Sequence, residues 1–169
     1  PVHGFLSIIL LFGASHASGQ FGAAHLIHSG SGNVQLRSAD IDVDGDEDLF
    51  GVFNGNLFKW FENLDGSGTF GTANMVLNLG HDTEEFVLAD VDGDLDPDIL
   101  VIPENENNVL IYTNDGAGAY TLSTTLTTPS GPKGIACADI HGDGHADIIV
   151  TLLLNGGAGF GIFPGAMDS

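Results

Sequence analysis

Residues 38–53 read SADIDVDGDEDLFGVF and place Asp40, Asp42, Asp44, Asp46, Glu47 and Asp48 within nine positions. Carboxylates that close repel one another unless a cation sits among them. Counted from Asp40 as position 1, side-chain acids stand at positions 1, 3 and 5, Gly45 at 6, the backbone carbonyl of Asp46 at 7 and Asp48 at 9. A calcium ion asks for about six to eight oxygen ligands. Alternate carboxylates on a tight loop point to one centre, and Gly45 supplies the positive φ that folds the loop around it. Asp40, Asp42, Asp44, the Asp46 carbonyl and Asp48 are therefore expected to hold Ca2+. An acidic turn without metal is the competing reading. An EF-hand is not, because position 12 is Gly51, with Val101 and Val150 at the same place in two later clusters, and the flanks are strand-like.

The later clusters are Asp90, Asp92, Asp94, Asp96 and Asp98, and then Asp139, Asp143 and Asp147. Asp40, Asp90 and Asp139 lie 50 and 49 residues apart, each after an alanine and each four residues after a large apolar side chain, Leu36, Phe86 or Ile135. Each cluster runs into a β-type stretch, DLFGVF, DILVIP or DIIVTLLL. A second motif recurs downstream as NLDGSGTF (63–70), NDGAGAY (114–120) and NGGAGF (155–160). Within one period the pattern predicts four short strands, which for the second repeat fall at about 72–78, 84–89, 98–102 and 109–113. Four strands per period of about 40–50 residues is the mark of a β-propeller blade. The fold class expected is thus all-β, about three blades of a larger propeller, with repeats at about 21–69, 70–119 and 120–159 and another starting at 160–169. A β-sandwich competes, but it needs no acidic loop at the same place in every unit. Asp48 to Asn63 is 15 residues and Asp98 to Asn114 is 16, whereas Asp147 to Asn155 is only 8, so the third unit reads as having lost a turn and most of a strand.

Composition narrows the partners. Three strong bases, Arg37, Lys59 and Lys133, stand against 23 acids, for a net charge of −20. Nucleic acid and direct binding to an anionic membrane are both disfavoured, since each needs a basic surface. With 43% hydrophobic and 15% charged residues the chain is no disordered acidic tail, and its 25 glycines point to many turns rather than long helices. Cys137 is alone, so no intrachain disulfide is available, and it reads as a buried strand thiol.

The apolar run Phe5–Phe12, followed by Ser15-His16-Ala17, is read as a secretory signal over residues 1–17, truncated at its start because it lacks a methionine and a basic residue before the run. The alternative is the last strand of an earlier repeat. Either way the sequence is expected to be part of a longer protein, with the repeat region at 18–169.

The arrangement ADIDVDGDEDLF followed by WFENLDGSGTFG resembles the FG-GAP/VCBS repeats of integrin-alpha-type β-propellers, over about residues 18–163. The resemblance implies Ca2+ on loops between blade strands, an extracellular setting and a role in adhesion or ligand binding. Carried over by position, it adds Asp90, Asp92, Asp94, the Asp96 carbonyl and Asp98 from the second loop, where Leu95 replaces the position-6 glycine and Gly93 stands at position 4. It adds Asp139, Asp143, the His145 carbonyl and Asp147 from the third, where His141 replaces the acid at position 3. Binding is expected to weaken from the first loop to the third.

His141 and His145 invite a zinc reading, but their spacing is not that of a metalloprotease helix. No serine sits in a nucleophile elbow, and Glu84-Glu85 and Glu104/Glu106 read as strand-end acids rather than a catalytic pair. Trp60 is a candidate sugar platform, with packing between blades the commoner role. The chain is therefore expected to be a non-catalytic extracellular module that binds a protein or glycan. The alternative is the accessory propeller or lectin-like domain of a secreted carbohydrate-active enzyme.

Overall fold

The computed structural model describes residue 24, residues 26–29, residue 32 and residues 34–165. The signal peptide expected at 1–17 lies outside the described residues. The described residues form eleven strands and no helix. Each sheet is a meander of consecutive antiparallel strands. The first contains β1 (Val34–Ala39), β2 (Asp48–Phe53), β3 (Leu57–Phe61) and β4 (Asn74–Asn78). The second contains β5 (Thr83–Ala89), β6 (Asp98–Pro103), β7 (Asn108–Thr113) and β8 (Thr121–Thr127). The third contains β9 (Pro132–Ala138), β10 (Asp147–Leu154) and β11 (Gly157–Phe163). These are propeller blades in an open row.

Strand β6 shows why the blades stack. All six of its residues are buried, and its branched side chains alternate between two cores. Ile99 and Val101 join Phe50, Val52, Phe58, Trp60 and Phe86 between the first and second sheets. Leu100 and Ile102 join Val109, Ile111, Ile148, Val150 and Leu152 between the second and third. A middle sheet buried on both faces rules out the two-sheet sandwich, in which each sheet has one solvated face. Trp60, 9% exposed, belongs to the first of these cores and is not a surface platform. Its ring lies so close to Gly118 that a Cβ there would approach it to 2.6 Å.

The scarce cations stitch the leading strands of the blades. Arg37 of β1 pairs with Glu85 of β5 and lies 5.0 Å from the Phe86 ring, and Lys133 of β9 pairs with Glu84 of β5. Glu84 and Glu85 are thus inter-blade partners.

Two features differ from the sequence reading. The strand expected at 72–78 forms, but as β4 it is hydrogen-bonded to β3 of the first sheet, so the sheet boundary falls between Asn78 and Thr83 rather than near residue 70. The third sheet has three strands among the described residues where the others have four, but nothing is lost between Asp147 and Asn155. Asn155 and Gly156 are the β10–β11 hairpin turn, the counterpart of Asn54-Gly55, and the strands they join run seven or eight residues. NGGAGF is a hairpin, not the second motif, and residues 160–163 complete the third sheet instead of opening a fourth unit.

Replacing Leu100, fully buried between two sheets, by alanine is expected to cost about 2–5 kcal/mol. Lys133→Ala, at a half-exposed ion pair, is expected to cost at most about 1 kcal/mol. Urea denaturation of both variants checks the contrast, and equal losses would contradict a core carried between the sheets.

Candidate metal centre

Each acidic loop joins the first strand of a blade to its second, and the three loops share one backbone course. Position 4 has positive φ in all of them, at Val43 (59°), Gly93 (88°) and Gly142 (71°). So does position 6, at Gly45 (98°), Leu95 (79°) and Gly144 (89°). Sequence reasoning located the strain at Leu95 but missed its equal at Val43, a β-branched residue that rarely adopts this region. The first loop is therefore no less strained than the second, and the backbone argument for ranking them falls away.

The position-1 aspartate organises each loop from inside. Asp40 accepts from the N–H groups of Asp44 and Gly45, both at 3.0 Å. Asp90 accepts from Gly93 (2.7 Å) and Leu95 (3.1 Å). Asp139 accepts from Gly142 (2.6 Å), Asp143 (3.1 Å) and Gly144 (3.0 Å). The position-5 acids Asp44, Asp94 and Asp143 each accept from the N–H two residues on, that of Asp46, Asp96 or His145.

The position-9 aspartate is buried and ties the loop to the rest of its blade. Asp48 accepts from Ile41 N–H (3.1 Å) and Asn63 N–H (2.7 Å). Asp98 accepts from Val91 (3.0 Å) and Asn114 (3.0 Å), and Asp147 from Ile140 (2.8 Å) and Gly165 (2.9 Å). Gly165, not Asn155, is thus the counterpart of Asn63 and Asn114. The donor is a backbone N–H, so no side-chain motif announces it. Asn114 also donates from Nδ2 to the Ile41 carbonyl (2.8 Å), tying the turn of the second blade to the loop of the first.

Carboxylate oxygens of Asp40, Asp42 and Asp44 lie within 4.8 Å of one another, as do those of Asp90, Asp92 and Asp98. Asp48 and Asp94 stand outside these groups, and the third loop forms none among the described residues. There His141 takes position 3, and its Nδ1 is 2.8 Å from Asp147 Oδ2. An imidazole stands where the other loops have a carboxylate, and no zinc-type grouping with His145 forms among the described residues. Asp46 and Asp96, read as carbonyl donors, lean their side chains against Gly66 and Gly116, where a Cβ would come within 2.3 and 3.0 Å of their oxygens. Asp42 Oδ1 and Asp96 Oδ1 are buried without a hydrogen-bond partner. These orphaned acceptors, in a set made wholly of oxygens, fit a hard cation such as Ca2+ and not zinc.

The carboxyls record the strain. Burial, then Asp44 and the other neighbouring acids, raises Asp42 above its usual range. Burial and Asp94 push Asp96 up to about 6. Burial also pushes Asp98 to about 6, against its two N–H donors. Asp147 goes the other way: burial raises it, but donors from Gly165, His141 and Ile140 together lower it to about 2. Cys137 is half-buried against the second core, and burial pushes its thiol up to about 11, as suits a packing residue.

Fold and site together define a β-propeller-type repeat module with an acidic loop in every blade. The FG-GAP-like repeat matches this sequence twice, over residues 40–101 and 90–150, and the chain belongs to that family. The two matches overlap on the second loop, so the matching unit runs from one acidic loop through the next. No curated protein matches the chain.

Two outcomes follow. Leu95 is 81% exposed and Val43 53%, so Leu95→Gly and Val43→Gly lose little packing and are each expected to raise stability by up to about 1 kcal/mol in thermal melts. In chelator, folded Asp96 and Asp98 keep protons at pH values where the unfolded chain, with carboxyls near 3.8, has lost them. Stability should then fall as pH rises from about 4 to about 6, while the stabilisation from Asp147 is complete above about 4 and lost towards about 2. Melting temperature against pH, with Asp96→Asn flattening the decline, is the check. A steady rise across that window would contradict it.

Proposed function

We propose that this chain is a Ca2+-binding, non-catalytic propeller module of the extracellular space that engages a protein or glycan ligand. The observation that carries the reading is the convergence of Asp40, Asp42 and Asp44, with a buried and unpartnered oxygen on Asp42. Packed carboxylates of this kind are destabilising unless a cation offsets them, and Ca2+ supplies that charge compensation and nothing more. Asp40, Asp42 and Asp44 would hold one ion and Asp90, Asp92 and Asp98 another. Asp48, Asp94, Asp139, Asp143 and Asp147, and the carbonyls of Asp46, Asp96 and His145, remain candidate ligands by position. Extracellular calcium modules bind at about 0.1–1 mM, so the ion would be present where such a protein works. Burial of Trp60 takes away the sugar platform that the accessory or lectin-like alternative would use, and the raised Cys137 thiol is unsuited to a nucleophile.

Asp42→Asn separates the effects of charge and metal. The amide removes a repelling charge without losing a hydrogen bond from Asp42 Oδ1, which has none. In chelator the variant is expected to melt at or above the parent. With Ca2+ about tenfold over its dissociation constant the parent should gain about 1.4 kcal/mol per filled site, and the variant should lose the share of the first loop. Calorimetry in both conditions decides it. No response of the parent to Ca2+ would sink the proposal.

A further inference from the structure

We propose that the first and second acidic loops bind their ions cooperatively, coupled across the blade boundary by the side chain of Asn114. This rests on the Ca2+ reading of those loops. Asn114 is 6% exposed, and its Oδ1 is held by the N–H groups of Asp115 (2.9 Å) and Gly118 (3.1 Å). Its own N–H donates to Asp98 Oδ1 (3.0 Å), and its Nδ2 donates to the carbonyl of Ile41 (2.8 Å). Ile41 in turn donates its N–H to Asp48 Oδ2 (3.1 Å). One hydrogen-bonded line therefore runs from the buried carboxylate of the second loop to that of the first. It touches both groups of converging acids: Asp98 belongs with Asp90 and Asp92, and Ile41 lies between Asp40 and Asp42. The Ile41 side chain is fully buried in the core between the first and second sheets, so this stretch of the first loop is seated on the second blade. A second link runs beside it. Tyr120 packs edge-on against Phe50 of β2, with ring centres 5.8 Å apart, and its hydroxyl donates to the carbonyl of Pro97 (3.0 Å), next to Asp98.

These links are additions to the repeat rather than part of it. Asn63, the counterpart of Asn114 in the first blade, turns its Nδ2 to the Glu47 carbonyl of its own loop (3.1 Å). Gly165, the counterpart in the third, has no side chain with which to reach the second loop. Phe70, which closes the same motif as Tyr120, lacks the hydroxyl. Every blade uses the N–H donor, but Asn114 alone of the three spends its amide on a neighbouring loop. Without an ion, repulsion among Asp40, Asp42 and Asp44 strains the backbone at Ile41. An ion draws those carboxylates together and fixes the Ile41 carbonyl as the acceptor for Asn114. Asn114 then keeps its N–H on Asp98, which holds Asp98 beside Asp90 and Asp92. The second ion meets a loop already ordered and binds more tightly, and linkage makes the effect reciprocal. Bare repulsion between two bound cations has the opposite sign, so the direction of the coupling separates the two causes.

Calcium titration of this chain by calorimetry tests the coupling. Asp92→Asn disables the second loop and reports the first alone, and Asp42→Asn does the reverse. The product of the two association constants of the parent should exceed the product of these single-loop constants by about fivefold or more. Asn114→Gly copies Gly165, keeping the N–H for Asp98 and deleting the amide, and in that background the excess should vanish. Asn63→Gly frees the equivalent turn donor, Gly68 N–H, but breaks no link between loops, and should keep the excess. A loss common to both glycine variants would mean that Asn114 only holds its turn, and would overturn the proposal. If Asn114→Gly fails to fold, as circular dichroism would show, Tyr120→Phe decides, since it removes one hydroxyl, keeps the ring and should lower the excess. Two ions bound independently, or each weakening the other, would overturn the coupling and leave the Ca2+ reading standing. No calcium bound at all would overturn both.

Discussion

Three buried carboxylates, Asp48, Asp98 and Asp147, each join two backbone donors that lie 15 to 18 residues apart on the far side and seven on the near side. Through them the acidic loop, the second strand and the end of the third strand become one unit. An ionised group can be held at this depth only because both its oxygens are used, and that requirement sets the backbone course of the loop. The remaining acids of the loop follow from it. With the loop ends fixed by the position-9 aspartate, and the interior fixed by the position-1 aspartate, the position-3 acids Asp42 and Asp92 are brought beside Asp40 and Asp90, joined by Asp44 in the first loop and by Asp98 in the second.

The blades are otherwise held by apolar contact, and the charge balance explains how. A chain with three strong bases cannot neutralise its acids by ion pairing, and two of those bases, Arg37 and Lys133, are spent between leading strands. Most of the acids are kept on loops and strand ends, and Glu84 and Glu85 within β5 are the ones those bases partner, while Phe50, Trp60, Phe86 and Leu100 make the inter-blade cores. In the third loop the imidazole of His141 faces the buried carboxylate directly.

Much of this was legible from residue types. The 49- and 50-residue spacing, the β-runs after each cluster and the glycine at position 6 of the first loop all carry side-chain signatures, and the blades and loops stand where those signatures put them. What escaped was carried by the backbone. Gly165 donates an N–H that any residue but proline could donate, so the search for an asparagine settled on Asn155, which makes a hairpin instead. Val43 adopts positive φ because its loop repeats the course of the other two, and nothing in a valine announces that. The grouping of β4 with β3 was hidden because a repeat read from motifs has no natural starting point, while a sheet begins where the hydrogen bonding does.

The most direct test of the account is the number of calcium ions bound per chain, counted by equilibrium dialysis at about 1 mM free ion. Two ions are predicted, one for each loop whose carboxylates converge, with the third loop left to its histidine. A count of zero would mean that the acidic loops are held by their backbone donors alone, and a count of three would mean that His141 does not take the place of a metal.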